Sequence, residues 1–309
     1  MNIFENNPIV PIQQIKFPGN NIPVNVFMKR DDLTDIFISG NKFYKLKYNI
    51  LYALENNINR LISFGGAYSN HIHAFSYACK LFGFEGIGII RGELTYPINP
   101  TLKFAAQNGM KIEYVPRSEY RLKHTDEFKA KLKEKYGEFF YVPEGGSNRL
   151  AIKGAAEILD NIDIDYDYIA LAAGTGGTAA GIISSLRGEK FIYVFPVLKG
   201  AEFLRGEINN FVNLHSSSSY NNFDLIKDYH FGGYAKTKPE LLAFIEEFYK
   251  LNEIQLDPVY TGKMMFGLNE SIKSGLIPEG KTVLAIHTGG LQGIEGMNHR
   301  LDNRKINYF

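Results

Sequence analysis

Tyr168-Ile169-Ala170-Leu171-Ala172-Ala173-Gly174-Thr175-Gly176-Gly177-Thr178-Ala179-Ala180-Gly181 is the stretch on which the fold turns. Residues 168–172 form a short apolar run between Asp167 and the glycine-rich loop, the pattern of a buried strand. The glycine-rich loop then passes into Thr178 and a run of small residues that opens a helix. Strand, glycine loop and helix in that order are the unit of an α/β fold with a parallel sheet. Glycines in such a loop let the backbone approach an anion closely. Free N–H groups and the helix dipole then hold it, with Thr175 and Thr178 as hydroxyl donors.

The same alternation extends outward in both directions. Strands are predicted at 24–28, 60–64, 86–90, 111–115, 139–142, 190–195 and 282–286. Helices are predicted at 69–82, 125–135, 150–161 and 239–251. Alternating elements of this kind favour parallel sheets covered by helices on both faces. No internal repeat, low-complexity segment or long linker interrupts them. Residues 210–222, with serines at 216 through 219, are expected to form a mobile loop. The tail 296–309 reads as a polar-aromatic terminal segment.

With 309 residues the chain can bury a sizeable core. A formal net charge of +1 gives no argument for nucleic acid or an anionic membrane. The N-terminus lacks the basic-then-apolar layout of a signal peptide, and no apolar run approaches the ~20 residues that span a bilayer. The lone cysteine, Cys79, cannot form an intrachain disulfide, and it lies in an apolar helical stretch as buried filler. A cytoplasmic, soluble protein is expected.

A dinucleotide site is the obvious rival reading of the loop at 174–178. Against it, the next strand ends in Pro196-Val197-Leu198-Lys199, with no carboxylate for a ribose hydroxyl. No Walker lysine follows the glycines either. A second glycine segment, Phe64-Gly65-Gly66-Ala67-Tyr68-Ser69-Asn70-His71, also follows a strand and opens a helix. Ser69 or Asn70 could simply cap that helix, or could offer donors to a carboxylate or ring oxygen. His71 and His73 form an H-x-H pair, but no carboxylate or cysteine stands at ligand spacing, so no metal is expected. Thr261, in Asp257-Pro258-Val259-Tyr260-Thr261-Gly262-Lys263, and Thr288, in His287-Thr288-Gly289-Gly290, stand in late loops as caps or site residues.

Ser39-Gly40-Asn41-Lys42-Phe43-Tyr44-Lys45-Leu46 follows the charged run Lys29-Arg30-Asp31-Asp32-Leu33-Thr34. A glycine-bounded lysine at a strand-to-helix junction can aim its amine into a cleft. Pyridoxal phosphate needs such an amine, because it docks covalently on lysine. A surface lysine at a helix start is the ordinary alternative. The two glycine-rich segments downstream tip the balance.

In this order, the segments resemble the pyridoxal-phosphate-dependent family of 1-aminocyclopropane-1-carboxylate (ACC) deaminase and D-cysteine desulfhydrase, of the tryptophan synthase β-like fold type II. Its most specific pieces are Lys-Arg-Asp-Asp-Leu-Thr with Ser-Gly-Asn-Lys-x-x-Lys-Leu, Gly-Gly-x-x-Ser-Asn, Gly145-Gly146-Ser147-Asn148, Thr-Gly-Gly-Thr and Asp-Pro-Val-Tyr-Thr-Gly-Lys. The resemblance implies two doubly wound, open-sheet α/β lobes. A smaller lobe at 45–154 is inserted into a larger cofactor-binding lobe made of 1–44 and 155–309. It implies that Lys42 carries the cofactor and shuttles the substrate's α-proton. Asn70 would meet the ring oxygen, and Ser69 the substrate carboxylate. Gly174, Thr175, Gly176, Gly177 and Thr178 would hold the phosphate, with Lys45 adding charge. Tyr234 and Tyr260 would face the substrate. A homodimer is also implied.

The resemblance implies that the partner of the cofactor's ring nitrogen separates the two activities: ACC deaminases have glutamate after the Val-Tyr pair, whereas this chain has Thr261 there, and Thr288 in the His-Thr-Gly-Gly segment. A neutral hydroxyl stabilises a charged pyridine ring less than a carboxylate does. The weaker electron sink suits a β-substituent that departs readily, such as a thiol. The expectation is therefore α,β-elimination on a small amino acid, D-cysteine desulfhydrase-like, giving pyruvate, ammonia and sulfide. That makes the protein a lyase or, by its final water-consuming step, a hydrolase. ACC deamination, racemisation and β-replacement on the same cofactor stay open, as does a non-catalytic binding protein. One departure from the family is Tyr68, which stands where glutamine usually precedes Ser-Asn.

Overall fold

The computed structural model describes residues 2–19 and 23–300. Two sheets organise the chain. The larger runs β1 (Ile12–Gln14), β2 (Asn25–Lys29), β10 (Thr282–Ile286), β7 (Tyr168–Ala173), β8 (Phe191–Pro196) and β9 (Phe223–Leu225) in spatial order. Only the β1–β2 pair is antiparallel. The smaller sheet is wholly parallel, in the order β5 (Lys111–Val115), β4 (Glu85–Arg91), β3 (Arg60–Gly66) and β6 (Phe140–Val142).

Period-two alternation explains why both faces of the larger sheet are covered. Ile169, Leu171, Ile192, Val194, Leu284 and Ile286 point into one apolar layer. Ala170, Ala172, Tyr193, Phe195, Val283 and Ala285 point into the other. A strand buried on both faces must read as a continuous apolar run, as β7 does. Each fully buried aliphatic side chain in these layers contributes about 1.5–3 kcal/mol. In the smaller sheet, Leu61 and Ile90 join the first layer, while Ile62, Phe64, Ile87 and Ile89 form a separate core with Tyr120, Phe128 and Leu132.

The helices are α1 (Asn41–Glu55), α2 (Asn70–Phe82), α3 (Pro100–Gln107), α4 (Arg117–Tyr120), α5 (Asp126–Tyr136), α6 (Arg149–Ala155), α7 (Gly177–Leu186), α8 (Leu204–Ser216), α9 (Pro239–Asn252), α10 (Thr261–Lys273) and α11 (Gln292–Arg300). Their starts are legible in the caps. Ser69, Asn99, Thr125 and Asn148 each accept a backbone N–H three residues on, satisfying one orphan donor per helix.

Three expectations need correction. Residues 210–216 belong to α8, so only 217–222 connect that helix to β9. The helix expected at 150–161 ends at Ala155 and continues as a 3-10 turn to Leu159. Strands β1 and β9 went unforeseen, being three-residue edge strands with no apolar run of their own. Of the tail 296–309, residues 301–309 lie outside the described residues.

Candidate active site

Parallel sheets present their loops at the carboxyl ends of the strands, and ligands bind there. A cavity of about 1100 Å³ opens among those ends, lined from both sheets. Of the residues singled out above, Lys42, Lys45, Ser69, Asn70, Gly174, Thr175, Gly176, Thr178, Tyr234, Tyr260 and Thr288 line it.

Lys42 sits in the first turn of α1, after Gly40 at φ 65°. Gly40 is required there for two reasons. The dihedral lies in the left-handed region, and an added Cβ would stand 2.0 Å from the Thr288 carbonyl oxygen. This packing lets Gly40 donate its N–H to the Asp31 carbonyl at 2.8 Å and to Thr34 Oγ1 at 2.9 Å. The Asn41 N–H reaches the Thr288 carbonyl at 3.2 Å. Lys42 Nζ donates to Asn41 Oδ1 at 2.8 Å.

Burial lowers the Lys42 pKa to about 8, against a smaller opposing pull from the Asp257 carboxylate. Only the neutral amine is a nucleophile. Capture of a free aldehyde by Lys42 is therefore expected to accelerate about tenfold per pH unit below this pKa and to level off above it. Stopped-flow absorbance across pH 6–10 checks this, and a rate still climbing at pH 10 would show an ordinary lysine.

Three residues on, Lys45 Nζ donates to Ser147 Oγ at 3.0 Å, and Ser147 Oγ meets Thr175 Oγ1 at 2.8 Å. Lys45 is 1% exposed, and no carboxylate lies within ion-pair distance of it among the described residues. Burial, then the neighbouring Lys42 charge, pushes its pKa far down. Asn41 Nδ2 donates to Thr178 Oγ1 at 2.9 Å, tying α1 to the start of α7. No side chain caps α7, so its first N–H groups face the loop. At Gly177 a Cβ would come within 2.7 Å of Ser147 Oγ and 3.2 Å of Lys45 Nζ. The buried Lys45 amine, the Ser147 and Thr175 hydroxyls and open helix N–H groups thus meet beside a space that only glycine leaves clear. This donor set suits a multiply charged anion.

On the opposite wall, Ser69 caps α2, its hydroxyl accepting from the Ile72 N–H at 3.3 Å. Asn70 begins the helix, its amide against Gly290 and Gly293. Ser69 is thus the cap of α2, and both Ser69 and Asn70 also line the cavity. His71 faces the cavity, with Nε2 2.7 Å from Ser63 Oγ. His73 instead stacks on Phe104, with ring centroids 3.9 Å apart. The pair is thus split between two environments. Among the described residues no group of three or more His, Cys, Asp or Glu could hold a metal.

Thr261 departs from expectation. It is fully buried and absent from the cavity wall. Its hydroxyl donates to Asp257 Oδ1 at 2.8 Å and accepts the Asp257 N–H at 2.9 Å. Being the first residue of α10, it turns back on the preceding loop. The carboxylate it holds is the residue missed by the sequence reading. Asp257 lines the cavity and accepts from Val259 N, Tyr260 N and Thr261 N at 2.8 to 2.9 Å. Burial raises its pKa against those bonds. Thr261→Val is expected to cost about 1–3 kcal/mol of stability in denaturant unfolding, because Asp257 loses a donor and its N–H an acceptor. An unchanged midpoint would deny the hydroxyl that role.

Tyr234 and Tyr260 pack edge to face at 6.0 Å, linked through their hydroxyls. Burial, then Tyr234, holds the Tyr260 hydroxyl well above its usual range, so it stays a neutral donor at physiological pH. Ser147 was also missed. The Gly145-Gly146-Ser147-Asn148 motif marked its position, but its reach to Lys45 crosses 102 residues of sequence.

The family model described as pyridoxal-phosphate dependent enzyme matches residues 3–289. A Thermotoga maritima protein provisionally named a 1-aminocyclopropane-1-carboxylate deaminase is 32% identical, the alignment covering 94% of this chain and 96% of that protein. The mitochondrial bifunctional D-cysteine desulfhydrase/ACC deaminase of Arabidopsis thaliana is 29% identical over 92% of this chain and 77% of that protein. Among solved structures, an ACC deaminase homologue superposes with a TM-score of 0.83 at 28% identity, covering 94% of this chain and 92% of that one. The fold is thus the fold type II architecture expected. Hydrolase is corrected: the relatives are named deaminases and desulfhydrases.

Proposed function

Because the chain belongs to the family of pyridoxal-phosphate dependent enzymes, we propose that it eliminates the β-substituent of a small amino acid, as a D-cysteine desulfhydrase does. The products would be pyruvate, ammonia and sulfide. The observation that carries this reading is the convergence of Lys42 with a phosphate-suited cradle on one wall of the cavity. The residues fit the cofactor: Lys45, with no carboxylate partner, and the Gly177 space match its phosphate, and Lys42 its aldehyde. Pyridoxal phosphate, when bound, supplies the electron sink that makes an amino acid's Cα–H bond acidic.

Lys42 then has two tasks. Its amine holds the cofactor and, once released, takes the α-proton, which a pKa of about 8 allows near neutrality. Ser69 and the first N–H groups of α2 would receive the substrate carboxylate, and Asn70 the ring oxygen. Tyr260 and Tyr234 would bound the β-carbon side. Thr288 alone is left as the neutral ring-nitrogen partner. The nearby Asp257 carboxylate already accepts four donors, so both its oxygens are engaged. That engagement supports the weak-sink, thiol-eliminating reading. ACC deamination is the second reading, favoured by the Thermotoga maritima relative's name.

Homodimeric assembly and a cytoplasmic setting belong to the same proposal. The first rests on the family resemblance, the second on the lone buried Cys79. Among the described residues no helix is long and apolar enough to cross a membrane. The deciding assay is sulfide and pyruvate release from D-cysteine by cofactor-loaded protein, with L-cysteine and ACC in parallel. Release from D-cysteine is the expected result. Release of a keto acid from ACC alone would establish the second reading and overturn the first.

A further inference from the structure

We propose that Lys263, which lies outside the cavity, is the positioning residue that fixes Tyr234 against Tyr260 and so sets the geometry on the substrate's β-carbon side. The inference rests on the place given to the two tyrosines above. Lys263 belongs to the first turn of α10, three residues after Tyr260. It is 1% exposed and does not line the cavity. Its Nζ donates to the His230 carbonyl at 2.9 Å and to the Gly233 carbonyl at 2.7 Å. The Gly233 carbonyl belongs to the peptide unit from which Tyr234 hangs.

Both carbonyls close turns. The Gly233 N–H donates to the His230 carbonyl at 3.0 Å, and the Lys236 N–H to the Gly233 carbonyl at 3.1 Å. Tyr234 therefore sits inside the second of two consecutive turns, and one ammonium bridges the carbonyls that close them. A loop of this shape needs an outside hold. Phe231 and Ala235, neither of them glycine, stand at φ 52°, and Gly232 and Gly233 lie at 93° and 111°. Packing of its own ring does not fix Tyr234, which is 42% exposed. The hold comes from α10: Phe231 meets Phe266 edge to face at 5.0 Å, and Lys263 grips the turns. The same helix starts directly after Tyr260, so its first turn carries one tyrosine and fastens the other.

A buried lysine is a poor choice for stability alone. Taking an ammonium out of water costs free energy that two carbonyls return only in part. Burial accordingly lowers the Lys263 pKa to about 8, against a smaller opposing pull from Asp257. An apolar side chain of similar length would fill the space at less cost but leave the Tyr234 turns ungripped. What the ammonium adds is a fixed place for the Tyr234 ring, 6.0 Å from that of Tyr260.

Amide hydrogen exchange and steady-state kinetics of the holoenzyme test this in the wild type, Lys263→Met, Tyr234→Phe and the double variant. In Lys263→Met the Gly233 and Lys236 amides are expected to exchange about tenfold faster or more, with the amides of β7 and β8 unchanged. The kcat/KM for D-cysteine should fall about tenfold to a hundredfold. In the Tyr234→Phe background the same substitution should cost less than about twofold, because the hydroxyl it positions is already gone. Lys263→Gln, which keeps an amide donor, should fall between the wild type and Lys263→Met, and it carries the same tests if Lys263→Met does not fold. An equal kinetic loss in both backgrounds, or unchanged exchange at Gly233 and Lys236, overturns the proposal and would leave Lys263 a packing residue. Wild-type holoenzyme that releases no pyruvate from D-cysteine overturns the elimination reading instead, and the exchange rates alone then decide whether Lys263 holds the turns.

Discussion

Lys42→Ala is expected to lose covalent cofactor attachment and to lower turnover about a thousandfold or more, because one side chain supplies both the attachment point and the general base. Lys45 cannot replace it. The Lys45 amine is hydrogen-bonded to Ser147 beside Gly177, at the phosphate end of the cradle. The fold should survive, since Lys42 makes only the local bond to Asn41. Cofactor should still enter by its phosphate, noncovalently, because Lys45, Thr175 and the α7 N-terminus are untouched. Absorbance of the bound cofactor, equilibrium dialysis and unfolding midpoints separate these effects. Wild-type turnover in Lys42→Ala would end the account.

Gly40→Ala should be the most damaging of the single-methyl additions near the site. The left-handed dihedral costs an alanine about 1–2 kcal/mol. The clash with the Thr288 carbonyl cannot be relieved by rotating a side chain, because the obstacle is backbone. A total loss of about 3–5 kcal/mol is expected. Any folded fraction should retain cofactor poorly, since the Lys42 turn and the Thr288 loop must separate. Gly109→Ala is the control. It has a similar positive dihedral, φ 82°, but open space around it. It should cost only about 1 kcal/mol. Equal midpoints for the two variants would show that the contact with Thr288 carries no weight.

The contrast between these glycines bears on what the chain discloses without coordinates. Apolar runs gave away eight strands because each is buried on at least one face, and a buried parallel strand cannot be written any other way. The loops that follow them at 65–70, 174–178 and 287–290 were legible for the same reason. Strands β1 and β9 were not, because each is three residues long, pairs on one side only and carries no apolar run. Thr261 was misread for a geometric reason. Adjacent to Tyr260 in sequence, it starts a helix and turns its hydroxyl back to Asp257. Asp257 was quoted but given no role, since a carboxylate before proline in a loop looks like an ordinary turn. Ser147 is recognisable only through a neighbour distant in sequence, Lys45.

These pieces agree on a division of labour. Glycines at 40 and 177 clear space, the Lys45 amine, the Thr175 hydroxyl and the open N-terminus of α7 supply donors, and the tyrosines face the remaining volume. The most direct test reduces cofactor-loaded protein with borohydride, digests it and locates the phosphopyridoxyl group by mass spectrometry. The group is expected on the peptide containing Lys42, at Lys42 itself. Modification of Lys45 or Lys263 instead, or of no lysine at all, would contradict it.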